Sequence, residues 1–193
     1  MKAFSELYTA IDETTKTNAK IDALVRYFSI TDEKDAIWCV AMLCGRRPKR
    51  TIKSGELKAW CIEIAGIPEW LFLESYSIVG DLSEVITLIL PPATSNKPML
   101  LHETIHLLKL LDGATDEEKK KFIQTTWQQL STPERFIFNK LITGSFRIGV
   151  SQQLVIKALS RTYHLDENTV SHRLTGNWNP ETTTLKALLF SDN

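Results

Sequence analysis

Apolar residues recur at helical spacing from one end of the chain to the other. The first two stripes are Phe4, Leu7, Tyr8, Ile11 and Ile21, Leu24, Val25, Phe28. Spacings of three and four residues place such side chains on one face of an α-helix. The alternation with a period of two that marks a half-buried strand hardly appears. The pattern therefore predicts an all-α protein.

Capping residues divide the sequence into separate helices. Asp81 and Glu84, and again Thr115 and Glu118, have the spacing of a capping box, in which each side chain bonds to the other residue's backbone N–H group. Thr132-Pro133 predicts the start of a helix that ends at Gly144. Further helices are predicted to begin near Ser54, Pro68, Met99, Ser151, Asp166 and Pro180.

The length of 193 residues allows one domain or two small ones. The Pro91–Pro98 stretch is the best candidate for a linker, because it is rich in proline and lacks a helical pattern. No repeat of fixed period is visible, which disfavours a solenoid. The sequence predicts a single all-α domain over residues 1–193, with residues 91–98 as the candidate boundary if the domain has two lobes.

The composition is that of a folded globular protein, with 43% apolar and 24% charged residues. No apolar stretch has membrane-spanning length, and the first residues lack the layout of a signal peptide. We therefore expect a soluble, cytoplasmic protein with no membrane partner. Cys39, Cys44 and Cys61 stand within apolar helical patterns, which predicts small buried side chains and not a disulfide framework or a zinc site.

The charges balance overall but are unevenly distributed. Lys plus Arg and Asp plus Glu each number 23, and this formal neutrality counts against a binder that relies on net charge to attract nucleic acid. Two segments, 46–58 and 134–161, nevertheless carry one acidic residue each among several bases. They predict a basic face that is balanced by acidic surface elsewhere.

The segment 140–159 carries the most informative local pattern. Gly144 and Gly149 flank Arg147, and a new helix is predicted directly afterwards. A helix start leaves N–H groups unpaired and carries partial positive charge, so it suits a phosphate. Glycine lets the backbone approach a ligand, and arginine offers five donors in one plane. We expect the turn centred on Phe146 to face outward, and an ordinary capped helix-turn-helix is the alternative.

Two motifs typical of enzymes are weaker candidates. His102–His106 matches HExxH, in which two histidines bind zinc, but the third ligand has no suitable source, since Glu117 and Glu118 come too soon and Glu134 too late. Both histidines fall on the polar face of the predicted helix, so a zinc peptidase is a remote alternative. Lys109–Gly113 differs by one residue from the Lys-x-Asp-Gly of nucleotidyltransferases. We predict no catalytic or metal-binding residue.

Three blocks of the chain together resemble the N-terminal DNA-binding domain of ATP-dependent DNA ligases of the bacterial and archaeal type. They are CGRRPKRTIKSGELKAWCIEIAGIPEWLFLESY from Cys44, VGDLSEVITLIL from Val79 and ERFIFNKLITGSFRIGVSQQLVIKAL from Glu134. Their order and spacing are similar to the family's over nearly all of the chain. The resemblance implies an all-α domain that holds the minor-groove side of double-stranded, nicked DNA through helix-end loops, without reading its sequence.

The resemblance also implies which residues contact DNA. The loop after the helix 136–143 would supply Gly144, Ser145, Arg147 and Gly149, followed by Ser151 and Gln152 at the next helix start. A second loop would supply Arg46, Arg47, Lys49, Arg50 and Lys53, and the turn at Gly80 a third contact.

In that family the domain precedes an adenylating domain and an OB-fold, and the complete ligase uses ATP and Mg to seal nicks in DNA repair, replication and recombination. The lysine nucleophile motif and those two domains have no counterpart in this sequence. We therefore expect an isolated domain or fragment with no cofactor of its own, whose partners are nicked double-stranded DNA and the other domains of its parent chain. The alternative is a helical protein-interaction scaffold whose basic loops only add solubility.

Overall fold

The computed structural model describes residues 1–144, 146 and 148–190. All regular secondary structure in these residues is helical, which confirms the predicted all-α class. None of the described helices combines the length and the apolar character needed to cross a bilayer. The helices are α1 (Lys2–Asp12), α2 (Thr17–Ile30), α3 (Glu33–Leu43), α4 (Ser54–Ala65), α5 (Glu69–Val79), α6 (Leu82–Ile89), α7 (Leu101–Leu110), α8 (Asp116–Gln129), α9 (Thr132–Thr143), α10 (Gln152–Tyr163), α11 (Glu167–Thr175) and α12 (Leu185–Phe190).

The chain forms two compact units, each assembled from two stretches of sequence. Unit 1 comprises Met1–Lys2 and Pro48–Ser145, and unit 2 comprises Ala3–Arg47 and Phe146–Asn193. Unit 1 therefore holds α4 to α9, whereas unit 2 holds nearly all of α1 together with α2, α3 and α10 to α12.

In unit 1, α6 packs against α4, α5 and α9, while α8 contacts α4 and α7 contacts α9. The centre of this unit contains a buried polar network. Asn139 is fully buried, accepts a hydrogen bond from Trp127 Nε1 at 2.8 Å and donates one to Thr87 Oγ1 at 3.1 Å. Because buried polar groups are costly without partners, this network fixes the relative positions of α6, α8 and α9.

Residues 91–98 lie within unit 1, so the division of the chain does not fall at this proline-rich stretch. The Thr94 amide donates to the carbonyl oxygen of Gln128 at 3.0 Å, and the Lys97 amide donates to that of Gln129 at 3.1 Å. These bonds hold the segment against the end of α8. Proline content predicts an irregular segment, but it gives no information on such tertiary bonds.

In unit 2, α10 packs against α2, α3 and α11, and α12 contacts α3 and α11. The last helix begins at Leu185, later than the predicted start at Pro180. The reason is a turn at Asn179, whose carbonyl oxygen accepts hydrogen bonds from the following chain, including the Thr183 amide at 3.1 Å. Thr184 then begins the helix, since its Oγ1 accepts from an amide of the first turn at 3.2 Å.

The three cysteines are free thiols on the inside of their helices, as expected for small apolar side chains. Cys39 and Cys61 are fully buried, and Cys44 is half-buried. Burial raises the pKa of the Cys44 thiol to about 11 and that of Cys61 to about 12, with nearby arginine charges opposing the rise. Burial also raises the pKa of Cys39 well above its ordinary value. All three thiols therefore stay protonated and unreactive at neutral pH.

Candidate nucleic-acid interface

Residues 48–53, which are part of the basic segment 46–58, belong to unit 1 and include exposed cations. Lys49 Nζ lies 2.6 Å from Asp112 Oδ2, and the two side chains are 72% and 54% exposed. Arg50 Nη2 donates to Ser54 Oγ at 2.9 Å. Water and salt screen an exposed ion pair, so it contributes little to stability. Both cations can therefore turn towards an external anion at little cost.

Lys53 stands directly before the first turn of α4. Its backbone N–H donates to the Glu56 carboxylate at 2.6 Å, which caps the helix, and its side chain is exposed. A cation at this place adds to the partial positive charge of the helix start. The Lys53 charge repels the positive helix start when no ligand is present, and both attract a phosphate that binds there.

Gly144 and Arg50 lie side by side although they are far apart in sequence. Gly144 ends α9 with φ of 72°, a left-handed conformation that glycine adopts without strain. A Cβ atom at this glycine would lie 3.9 Å from Arg50 Cδ. The structure thus brings one residue of the predicted first loop, Gly144, close to one residue of the predicted second loop, Arg50, in unit 1.

The third predicted contact, the turn at Gly80, joins α5 to α6. Gly80 has φ of 77°, and Asp81 caps α6 by accepting from the Glu84 amide at 3.1 Å. The Asp81 carboxylate also accepts a hydrogen bond from the Lys140 ammonium group, which is almost fully buried. Lys140 therefore holds this turn against α9 and is occupied within the protein.

Arg50 and Gly80, from two of the predicted contact loops, line one cleft together with Thr143 at the end of α9, and we call it the unit 1 cleft. Its volume is about 480 Å³. The Ser83 and Thr143 hydroxyl groups, 3.0 Å apart, close it on one side and join the start of α6 to the end of α9. The lining residues are Arg50, Ser54, Gly55, Lys58, Phe72, Leu73, Tyr76, Gly80, Asp81, Leu82, Ser83 and Thr143.

Arg46 and Arg47, the first two residues of the basic segment, belong to unit 2, where Arg46 has a structural role. Its guanidinium donates to the carbonyl oxygens of Trp178 at 2.5 Å and Gly176 at 2.9 Å, and lies 4.1 Å from the centre of the Trp178 ring. Hydrogen bonds and a cation–π contact together fasten residue 46 to the stretch before α12. Arg47 is exposed. A DNA contact remains a prediction for both residues.

Unit 2 also contains a cation that the sequence did not reveal. Lys20, on α2, donates its ammonium group to the Gly149 carbonyl oxygen at 2.9 Å. Gly149 has φ of 59°, and a Cβ atom there would lie 3.0 Å from Lys20 Nζ. The backbone conformation therefore favours glycine here, whereas the flexible end of Lys20 could shift to admit a Cβ atom. Because 129 residues separate the partners, no local pattern could have indicated this contact.

Ser151 and Gln152 form the exposed start of α10, directly after this glycine. The Ser151 side chain makes no capping bond, and the first amide that bonds within the helix is that of Leu154. The amides of Gln152 and Gln153 come before that point, where a helix supplies no acceptor. With Lys20 beside Gly149, this helix start is suited to an anion.

Ser145 and Arg147, two of the predicted contacts, lie outside the described residues. Phe146 between them is buried, with its ring centre 6.0 Å from that of Phe4 and 6.5 Å from that of Tyr8. Ile148 is buried as well, so at Phe146 and Ile148 the expectation of an outward-facing turn is wrong, because apolar side chains at these positions pack inward. Among the described residues of the turn, Gly149 is exposed.

The HExxH segment forms α7 with the predicted apolar face. Leu101, Ile105 and Leu108 are buried, His106 is exposed and His102 is half-buried. The Glu103 carboxylate accepts from the backbone N–H at the start of α7 at 3.4 Å. The glutamate that would be the base of a zinc peptidase is thus part of a helix cap.

Comparison with known proteins shows which family the chain is similar to. The family described as "DNA ligase N terminus" matches residues 1–160, so α11 and α12 follow the matched region. A protein named "Probable DNA ligase" from Koribacter versatilis (strain Ellin345) is 25% identical over 171 residues, which cover 84% of this chain. The chain spans 30% of that relative's length. From the family match over residues 1–160, we conclude that the chain belongs to the DNA ligase N-terminal family.

Proposed function

We propose that the chain binds double-stranded and nicked DNA through its minor-groove side, without sequence preference, as the N-terminal domain of an ATP-dependent DNA ligase. The observation that carries this proposal is that Arg50, Gly80 and Thr143 line the unit 1 cleft although they come from distant parts of the sequence. Thr143 directly precedes Gly144 at the end of α9. Family membership supports the same function.

The charge distribution fits a binder of the DNA backbone. Lys49, Arg50 and Lys53 are exposed in one loop, while the chain as a whole is neutral. Phosphate contacts provide affinity and position but carry little sequence information. A protein that seals arbitrary nicks requires this kind of binding. Localised cations and backbone amides in glycine turns meet that requirement without a large net charge.

Unit 2 would contribute a second contact at the start of α10. Lys20, Gly149 and the exposed residues Ser151 and Gln152 offer an ammonium group and amides without intrahelical acceptors. We propose a phosphate contact for Arg147 as well, because it lies between Gly144 and Gly149 in sequence.

The remaining parts of the proposal concern the parent chain. We propose that an adenylating domain and an OB-fold act together with this domain, with ATP and Mg, in DNA repair, replication or recombination. Residues 109–113 do not fit an adenylation site, since their spacing has one residue too many for Lys-x-Asp-Gly and Gly113 forms a turn with φ of 84°. No step through ATP is therefore assigned to this chain.

Replacing Arg147 by alanine tests the proposal at its most specific residue. We expect weaker binding to nicked duplexes of every sequence, and a slope of log affinity against log salt that is shallower by about one, because one phosphate contact is lost. The measurement is a fluorescence anisotropy titration at several salt concentrations.

The matched control is Arg26→Ala, which removes an exposed arginine from the middle of α2 and should leave the slope unchanged. An Arg147→Ala variant with the affinity and salt slope of the wild type would contradict the assignment.

A further inference from the structure

The unit 1 cleft has two chemically different walls. One wall comes from α5 and consists of Phe72, Leu73 and Tyr76. The other comes from the basic loop and the start of α4 and includes Arg50 and Lys58. Its volume of about 480 Å³ lies within the range of roughly 300–1,000 Å³ typical of small-molecule sites. An apolar surface and a cationic group in one cleft suit a ligand that is aromatic at one end and anionic at the other.

The apolar wall is only partly buried by the rest of the protein. Phe72 is fully buried, whereas Leu73 is 46% exposed and Tyr76 is 41% exposed. A tyrosine ring next to a leucine side chain offers a flat surface on which an aromatic base can stack. Such stacking tolerates any base, because every base has a π-face. This wall therefore requires no particular sequence.

In the same cleft, Arg50 carries a charge that is not neutralised among the described residues. Its described partner is the neutral Ser54 hydroxyl, at 2.9 Å. The other charges near the cleft are compensated: Lys58 Nζ lies 2.7 Å from Glu69 Oε1, and the Asp81 carboxylate accepts from Lys140. Arg50 is thus the group that an anion entering the cleft would meet.

We propose that the unit 1 cleft holds a single unstacked nucleotide, with its base against Tyr76 and Leu73 and its phosphate at Arg50. The inference rests on the proposed DNA-binding function, in which the nucleotide is an unpaired one beside the nick. A free mononucleotide has the same chemistry and is the second possible source. In either case the cleft recognises an exposed base together with its phosphate, whereas the surrounding loops hold paired DNA.

The test compares two nicked duplexes that differ by one unpaired nucleotide at the nick. The wild-type chain should bind the duplex with the unpaired nucleotide about five- to tenfold more tightly, the effect expected for stacking one base on one aromatic side chain. Tyr76→Ala should abolish this difference and leave binding to the fully paired nicked duplex unchanged. Tyr76→Phe should retain the difference, because the ring remains.

Trp70→Ala is the matched control. Trp70 lies on the same helix, is 64% exposed and does not line the cleft, so its loss should preserve the preference. Equal affinity of the wild type for both duplexes would overturn the inference and leave the proposed function intact. If neither duplex binds, the proposed function fails. In that case, titration with a deoxynucleoside monophosphate tests whether the cleft binds a free nucleotide. Binding that is lost in Tyr76→Ala supports a free nucleotide as the ligand. The absence of binding to the wild type overturns the inference.

Discussion

Replacing Arg135 by methionine is expected to lower the free energy of unfolding of unit 1 by about 3 kcal/mol or more. Arg135 is 2% exposed and donates from Nε and Nη2 to the Trp127 carbonyl oxygen, at 3.0 and 2.6 Å. Its Nη1 donates to the Pro91 carbonyl oxygen at 3.0 Å. Methionine fills a similar space but leaves both buried carbonyl groups without this donor.

The measurement is urea unfolding followed by circular dichroism. Arg161→Met is the control, because Arg161 forms an exposed pair with Asp22 at 3.4 Å and its loss should change stability by less than about 1 kcal/mol. Since Arg135 also holds the segment that begins at Pro91, protease cleavage within residues 91–98 should become faster in the Arg135 variant. Equal stability of the two variants would show that this buried arginine does not hold unit 1 together.

Reversing the charges of Lys49, Arg50 and Lys53 to glutamate is expected to lower the affinity for nicked duplex on the order of a hundredfold at about 0.1 M salt. All three side chains are exposed in one loop, so the change should affect binding and not folding. The slope of log affinity against log salt should become shallower by about three, because three phosphate contacts are lost. Anisotropy titrations over a range of salt concentrations measure both quantities.

The matched control reverses three exposed lysines that do not line the cleft, namely Lys34, Lys97 and Lys121. It changes the net charge by the same amount and should retain most of the affinity. An equal loss in both variants would mean that overall charge governs binding. Retention by both would favour the protein-interaction scaffold, to which the exposed Trp70 and Ile78 of α5 lend support.

The features that the sequence predicted correctly depend on interactions between residues close together in the chain. The capping box at Thr115 forms, Asp81 caps α6 by accepting from the Glu84 amide without the reciprocal bond of a capping box, and Gly144 ends α9 in a left-handed conformation. Each of these features depends on residues within one turn of a helix. The buried apolar stripes follow from helical spacing for the same reason. The all-α class could therefore be predicted from the sequence.

The features that the sequence did not reveal depend on tertiary contacts. Lys20 meets Gly149 across 129 residues, and Arg46 meets Trp178 across 132. The basic segment looked uniform in sequence, yet Arg46 is fastened within unit 2 whereas Arg50 lines the unit 1 cleft. Charge and composition do not separate a structural arginine from one that is available to a ligand.

Titration of the wild-type chain against nicked duplexes of two unrelated sequences, between about 50 and about 200 mM salt, tests the central claim most directly. The claim is that helix-end loops bind the sugar-phosphate backbone. It predicts similar affinities for both sequences and a log affinity that falls linearly with log salt, with the same slope for each. An affinity that ignores salt, or that differs strongly between the two sequences, would contradict it.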